Sequence, residues 1–385
     1  MSYVLKLCSW YPSKIDCYSG DFVQRHARAI ATQIPVVAVF AVKDPERFSG
    51  GLKVEKSVEG NLTEYRVYYP QKKWLDKIWS QWYYMQALKT VLPSILREKG
   101  EPILLHVNIA WKAAIWWRYL QKKYDWPLFV TENSTEYQPA ALLNIRKLGP
   151  LRQRLTRLLF QQCRMFISVS AQLVNTVESL YGKIPATVVP NAVDTSLFNP
   201  IAGPDDGLFH VLHISTLSYQ KNPEGLLRVY DELLQRHQDI KLTIVGPITP
   251  LLQQWIEKWK HRSEAIHCAG LIAYDQVALM VQQTHLLTLF SRYENLPCVI
   301  LEAHCAGVPV VSTNVGGIGE IIDDTNGVLV EEGNETAFLQ AIERVKKGEM
   351  QFQKSKISKA AMRKYNYTQI GMDFIAAYKS AGIQL

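Results

Sequence analysis

The chain has six cysteines but no Cys-x-x-Cys pair; Cys8, Cys17, Cys163, Cys268, Cys298 and Cys305 are scattered along it. That spacing argues against a disulfide framework or a zinc site and for a reducing cytosol. No apolar run approaches the roughly 20 residues that a bilayer-spanning helix needs. The opening MSYVLKLCSWYPS lacks the long apolar core and small-residue cleavage site of a signal peptide. Charged residues make up only 20% of the 385, against 48% hydrophobic, which is too apolar for a disordered chain. The length suffices for two domains of ordinary size.

Negative charge is scarce in the first half. Residues 1–200 carry 26 Lys+Arg against 15 Asp+Glu, whereas the remainder carries 17 against 20. A basic half and a near-neutral half imply different partners. No nucleic-acid-binding motif accompanies the basic residues, so no nucleic-acid partner is expected. An anionic membrane face or a phosphorylated acceptor fits the charge better.

The chemistry concentrates in SRYENLPCVILEAHCAGVPVVSTNVGGIGE, residues 291–320. Upstream, Leu286 to Phe290 is a short apolar run of the buried-strand type. Pro297 suits the first position of a helix and Gly307 the residue just past its end. Val308 to Ser312 reads as the next strand, and Gly316-Gly317 as a tight turn into another helix. Such a unit belongs to a doubly wound parallel sheet, an α/β class whose ligands sit at the carboxyl ends of strands. Glu294 lies in the loop, and Glu302 eight residues on would lean back toward the helix N-terminus. Free N–H groups there suit a phosphate. Taken singly, each glutamate reads as a solvated residue. The ordered stretch points further.

Glu294-x7-Glu302, then Ala303, Gly307-Val308-Pro309-Val310-Val311 and Gly316-Gly317-Ile318-Gly319-Glu320, resembles the retaining glycosyltransferases of family four. Leu296-Pro297 stands where that family more often has Phe-Gly, and Gly319 where Pro is usual. The resemblance implies the GT-B fold: two Rossmann-like, doubly wound domains facing across a cleft. Residues 1–200 would form the acceptor-binding domain and 201–365 the nucleotide-sugar-binding domain. Residues 366–385 would form a helix packing back on the first. Pro190-Asn191-Ala192-Val193-Asp194 is similar to the family's segment at the domain junction, with residues 199–207 as a linker.

The resemblance also assigns roles. Glu302 is expected on the ribose hydroxyls, and Glu294 at the donor sugar as a catalytic group. Lys221, with Asn295 and Leu296 at the helix start, is expected at the diphosphate, and the backbone of Gly270-Leu271 at the base. Thr216 stands where the family usually has an Arg. Gly20, before a helix opening at Asp21, would lie at the acceptor and donor phosphate. His106 and Glu132, at the ends of strands, are candidate catalytic contacts, since Asn133 occupies the place of the family's usual His. No cofactor and no metal are expected, and the Asp-x-Asp motif of the other large transferase fold is missing.

Two aromatic runs remain. Trp74, Leu75, Ile78, Trp79, Trp82 and Met85 recur at helical spacing beside Lys72, Lys73, Lys77 and Lys89, with Pro93 as a kink or break, and Trp111 to Trp126 follows. Both read either as core or as an interfacial surface. A basic amphipathic helix begins after Gly149-Pro150.

Taken together, the resemblance implies a metal-independent, retaining hexosyltransferase. It would move sugar from a nucleotide sugar to a glycan or lipid-linked acceptor in cell-surface polysaccharide or lipopolysaccharide biosynthesis. The location would be cytoplasmic, or peripheral at an anionic membrane. A sugar-nucleotide epimerase on the same scaffold and a non-catalytic nucleotide-sugar-binding partner subunit are the alternatives.

Overall fold

The computed structural model describes residues 2–46, 50–71 and 76–385. The chain divides into two compact units. One comprises the residues up to Tyr137, Leu143–Ala192 and Tyr367–Leu385; the other comprises Gln138–Leu142 and Val193–Asn366. Each is Rossmann-like, with a largely parallel sheet and connecting helices.

In the first unit the strands are β1 (Val4–Cys8), β2 (Val36–Asp44), β3 (Lys53–Glu59), β4 (Leu62–Pro70), β5 (Leu104–Asn108), β6 (Leu128–Glu132), β7 (Met165–Ser168) and β8 (Ala186–Val188). They lie in the order β3-β4-β2-β1-β5-β6-β7-β8. Strands buried on both faces read as continuous apolar runs, which is why VLKLC and LLHVN are visible in the sequence. The two edges depart from this: β3, KVEKSVE, is almost wholly exposed and pairs antiparallel with β4, and β8 has no buried residue. Charge on an edge strand blocks further pairing and also hides the strand from a hydrophobicity reading.

The second unit holds β9 (Phe209–Ile214), β10 (Ile240–Val245), β11 (Ile266–Gly270), β12 (Leu286–Leu289), β13 (Val310–Thr313) and β14 (Gly327–Val330). Their order is β11-β10-β9-β12-β13-β14, and every pairing is parallel. The chain winds from β9 outward one way to β11, then restarts at β12 and winds the other way. The switch point therefore lies between β9 and β12, where a crevice opens at the carboxyl ends.

Two expectations are corrected and one open reading is narrowed. Gly316-Gly317 leads only into a 3-10 turn, Ile318–Glu320, and not a helix. Pro93 sits inside the helix Asp76–Lys99, which runs on past it. Of the second aromatic run, read either as core or as interface, Trp116 and Trp117 belong to the core of the first unit, while Trp111, Tyr119, Tyr124 and Trp126 are half-buried. Trp74 and Leu75, and the side chains of Lys77, Ile78 and Trp79, lie outside the described residues.

The helix Tyr367–Ser380 packs along the helix Asp21–Ala31 within the first unit, contributing Ile370, Phe374 and Tyr378 to its core. A Cβ on Gly371 would lie 2.2 Å from the carbonyl oxygen of Ala29, so only glycine permits this approach. Beneath these helices Lys6 of β1 is fully buried and, among the described residues, its Nζ has no hydrogen-bond partner. The ring of Phe374 lies 5.9 Å away. Burial pulls the Lys6 ammonium down from 10.5 to about 8.

This buried amine costs stability in a defined window. The folded chain holds the proton less readily than the unfolded chain. Stability therefore rises with pH between about 8 and 10.5, and the penalty is full below about 8. We predict that Lys6→Met raises stability by on the order of 3 kcal/mol at neutral pH and changes it little above the ordinary lysine range. Urea unfolding midpoints at the two pH values measure this; an equal effect at both would refute it.

Candidate functional site

Two loops flank the switch point of the second unit. The first, from Ser215 to Asn222, leaves β9 in an unusual conformation, with Leu217 at φ 50° and Asn222 at φ 49°. Non-glycine residues at positive φ need local compensation. Buried His213 joins Ser215 Oγ through Nε2 (2.7 Å) and the Thr288 carbonyl through Nδ1 (2.9 Å). Ser215 Oγ accepts from the Leu217 N–H (3.0 Å). Burial lowers His213 to about 4, so it is neutral near pH 7. The Asn222 side chain caps the helix Pro223–Arg236.

The second loop, residues 290–296, follows β12. Glu294 is buried there, and its carboxylate accepts hydrogen bonds from Ser291 Oγ (2.8 Å) and Gln220 Nε2 (2.9 Å) and is ion-paired to Lys221 Nζ. Three donors from two loops thus fix one carboxylate. Arg292 strengthens the junction. Its N–H donates to the Gln220 carbonyl (2.8 Å) and its guanidinium to the Tyr219 carbonyl (2.5 Å). The guanidinium also stacks 4.2 Å from the Tyr219 ring centroid.

Asn295 and Leu296, both buried, precede the helix Cys298–Cys305, for which Pro297 is the N-cap and not the first helical residue. Gln138, from the short segment assigned to this unit, donates to the Glu294 carbonyl (3.1 Å) and to Asn295 Oδ1 (2.9 Å). Glu302 is buried on the helix and accepts from Tyr274 Oη (2.7 Å). The Tyr274 ring packs against Phe198 at 5.2 Å. Gly270 ends β11 at φ 69° with open space where a Cβ would stand, and Leu271 beside it is 63% exposed. The next loop closes the floor: Gly317 N–H donates to the Asn295 carbonyl (2.8 Å). A Cβ on Gly316 would lie 1.9 Å from the Glu294 carbonyl oxygen.

Lys221, Glu294, Asn295 and Leu296 are therefore brought together, whereas Glu302 sits midway along the helix that follows β12 and Gly270 ends the edge strand β11 of the same sheet. Sequence reasoning missed Gln220, Ser291, Arg292, Tyr274 and Gln138. Thr216 is exposed, and its hydroxyl donates to Ser218 Oγ (3.2 Å).

The first-unit candidates fare differently. Gly20 is at φ 72° with the Trp10–Tyr11 backbone 2.5 Å from a Cβ position, so glycine is required there. It caps the helix Asp21–Ala31. His106 is a correction. It is fully buried, joined to Thr131 Oγ1 (2.5 Å) and Tyr378 Oη (2.7 Å), and burial holds it well below the usual histidine range. Its side chain faces the core beneath Phe374, and it touches no surface. Glu132 is buried too, accepting from the N–H groups of Ala110 (3.0 Å) and Ser134 (2.9 Å) and from Tyr137 Oη (2.9 Å). Burial pushes its carboxyl up to about 7. Asn133 is held between Asn108 and Asn191.

Residues 197–368 match the family model "Glycosyl transferases group 1", and residues 21–197 match "Glycosyltransferase Family 4". A glycogen synthase of Mycobacterium tuberculosis is 30% identical over 178 residues, which is 44% of this chain and 42% of that one. The chain thus spans less than half the length of that curated relative. Among solved structures, a sucrose-phosphate synthase from Thermosynechococcus elongatus superposes with a TM-score of 0.78 at 16% identity, over 99% of both chains. The Anabaena protein HepE, solved with UDP-glucose, gives 0.66 at 16% identity, over 99% of this chain and 100% of that one.

The approach of Gly316 to the Glu294 backbone yields a test. We expect Gly316→Ala to lower stability by about 1–3 kcal/mol through overpacking. Gly333→Ala, at φ 76° with nothing within 4 Å, carries the backbone strain alone and should cost less. Equal losses in denaturant unfolding would show that close packing of these loops is unimportant.

Proposed function

The chain belongs with the GT-B glycosyltransferases, matched by glycosyltransferase families in both halves, and from that premise we propose a retaining, metal-independent sugar transfer. The donor is a nucleotide-diphosphate sugar and the acceptor a glycan or lipid-linked glycan in cell-surface polysaccharide assembly. The work is done in the cytoplasm or at the adjoining anionic membrane face. The carrying observation is the fixed Lys221–Glu294 pair at the switch point, with Glu302 one helix away. HepE, of the same fold, was solved with UDP-glucose, which supports a nucleotide-sugar donor here.

In this reading Glu302 holds the ribose hydroxyls, and Tyr274 fixes the carboxylate that does so. Glu294 orients the donor sugar. Lys221 and the backbone around Asn295 and Leu296 face the diphosphate. As the bond between the anomeric carbon and phosphate oxygen breaks, negative charge grows on the leaving diphosphate. The acceptor hydroxyl attacks from the same face and gives its proton to that oxygen. Donors already in place stabilise this charge without reorganising, which is where the rate gain lies. Lys221 is in place because it pairs with Glu294, whose carboxylate Gln220 and Ser291 hold.

Glu302→Ala should mainly raise donor KM, since binding shared by substrate and transition state is what it removes; the loss is roughly 1.5–3 kcal/mol. Lys221→Ala should mainly lower kcat, and Glu294→Ala should change both constants, with Glu294→Gln milder. Steady-state kinetics on folded variants, with donor varied at saturating acceptor, read these out. An epimerase would show the same losses without dependence on acceptor, and a non-catalytic subunit would show only binding changes. Turnover should also persist with chelator; loss that magnesium or manganese restores would overturn metal independence.

A further inference from the structure

Beside the helix Pro150–Gln162, and within the first unit, lies a pocket of about 290 Å³. Arg146, Arg154 and Arg157 line it with Gln153 and Tyr181, and among the described residues no aspartate or glutamate does. None of the three arginines forms an ion pair among the described residues; Arg157 only donates to the Leu180 carbonyl (3.4 Å). The nearby Glu178 is occupied by Lys183 (2.5 Å). Three guanidiniums around one small volume repel one another unless an anion joins them. Their planar donor forks match phosphate oxygens.

The rim is apolar. Leu143, two residues before Ile145 of the pocket wall, is 76% exposed, and Leu151, on the helical stripe shared with Arg154, is 70% exposed. Exposed leucines flanking an unpaired cationic pocket match a surface that presents phosphate at its face and hydrocarbon just beneath. We propose that this pocket binds the phosphate of a membrane lipid headgroup, with Leu143 and Leu151 entering the interface. The proposal rests on the membrane contact of the functional reading and names the group that makes it. A soluble phosphate would use the guanidiniums and leave the leucines idle.

The test is sedimentation of the full chain with phosphatidylcholine vesicles, with and without phosphatidic acid. Arg154→Ala/Arg157→Ala should weaken binding to the anionic vesicles by about fivefold per arginine. Lys122→Ala/Lys123→Ala removes the same charge from another exposed site of the unit and should matter little. Leu143→Ser/Leu151→Ser should also weaken vesicle binding while leaving affinity for inorganic pyrophosphate unchanged. Equal losses for the arginine and lysine pairs would reduce the effect to net charge and overturn the pocket. Binding of pyrophosphate with no effect of the leucine variants on vesicles would overturn the lipid. Absence of anionic vesicle binding would overturn both. UDP-glucose binding by the same variants should stay at the wild-type level, so failure here is distinguishable from failure of the transferase reading.

Discussion

The second unit is arranged around one electrostatic contact, that between part-buried Lys221 and buried Glu294. Removing two charges from water is costly, and such a pair rarely stabilises a fold beyond what apolar packing would give. Removing one partner is different: it strands the other and typically costs about 3–5 kcal/mol. The pair is therefore best understood as a positioning device. It locks two loops from strands adjacent in space but far apart in sequence. The hydrogen bonds of Gln220, Ser291 and Arg292 are consequences of the same junction. The positive φ values at Leu217 and Asn222 bracket the turn that carries Lys221.

Below that junction the architecture is ordinary parallel-sheet logic. Every strand of the second sheet points the same way, so all connecting loops that carry chemistry gather at one end. The glycines work at that end. Gly316 lets one loop lie against the Glu294 backbone, and Gly270 turns the chain where a Cβ would face open space. In the first unit the same logic places polar side chains at the ends of β5 and β6. There they are consumed by the core: His106 by Thr131 and Tyr378, and Glu132 by a helix start.

This contrast explains what was legible in the sequence. The parallel strands were legible because burial on both faces leaves unbroken apolar runs, and β3 was not because an exposed edge has no such need. Glu294, Glu302 and Lys221 stood out in the sequence through the resemblance to a family motif, and the fold brings Lys221 and Glu294 together. Gln138 was not legible, since it meets Asn295 across 157 positions and nothing local marks it. Tyr274 reads as any helix-start aromatic until its hydroxyl is seen on Glu302. His106 was misread because a strand end says which rim a residue is near but not which face it occupies. Only the returning helix, packed over that face, decides it. The aromatic run at Trp116-Trp117 was ambiguous for the same reason, since aromatic residues suit both cores and interfaces.

The placement of the helix Tyr367–Ser380 has a consequence for biogenesis. The first unit needs Phe374 and Tyr378 to seal its core, yet Val193–Asn366 is synthesised in between. At roughly 5–20 residues per second, that interval lasts on the order of ten seconds or more. During it the nascent first unit exposes the apolar side of the helix Asp21–Ala31 and a strand carrying an uncovered lysine. The second unit, apart from the short segment Gln138–Leu142, can close on its own contiguous chain. The order of completion is thus the reverse of the order of synthesis. The ribosome-bound intermediate is the species on which a chaperone would act.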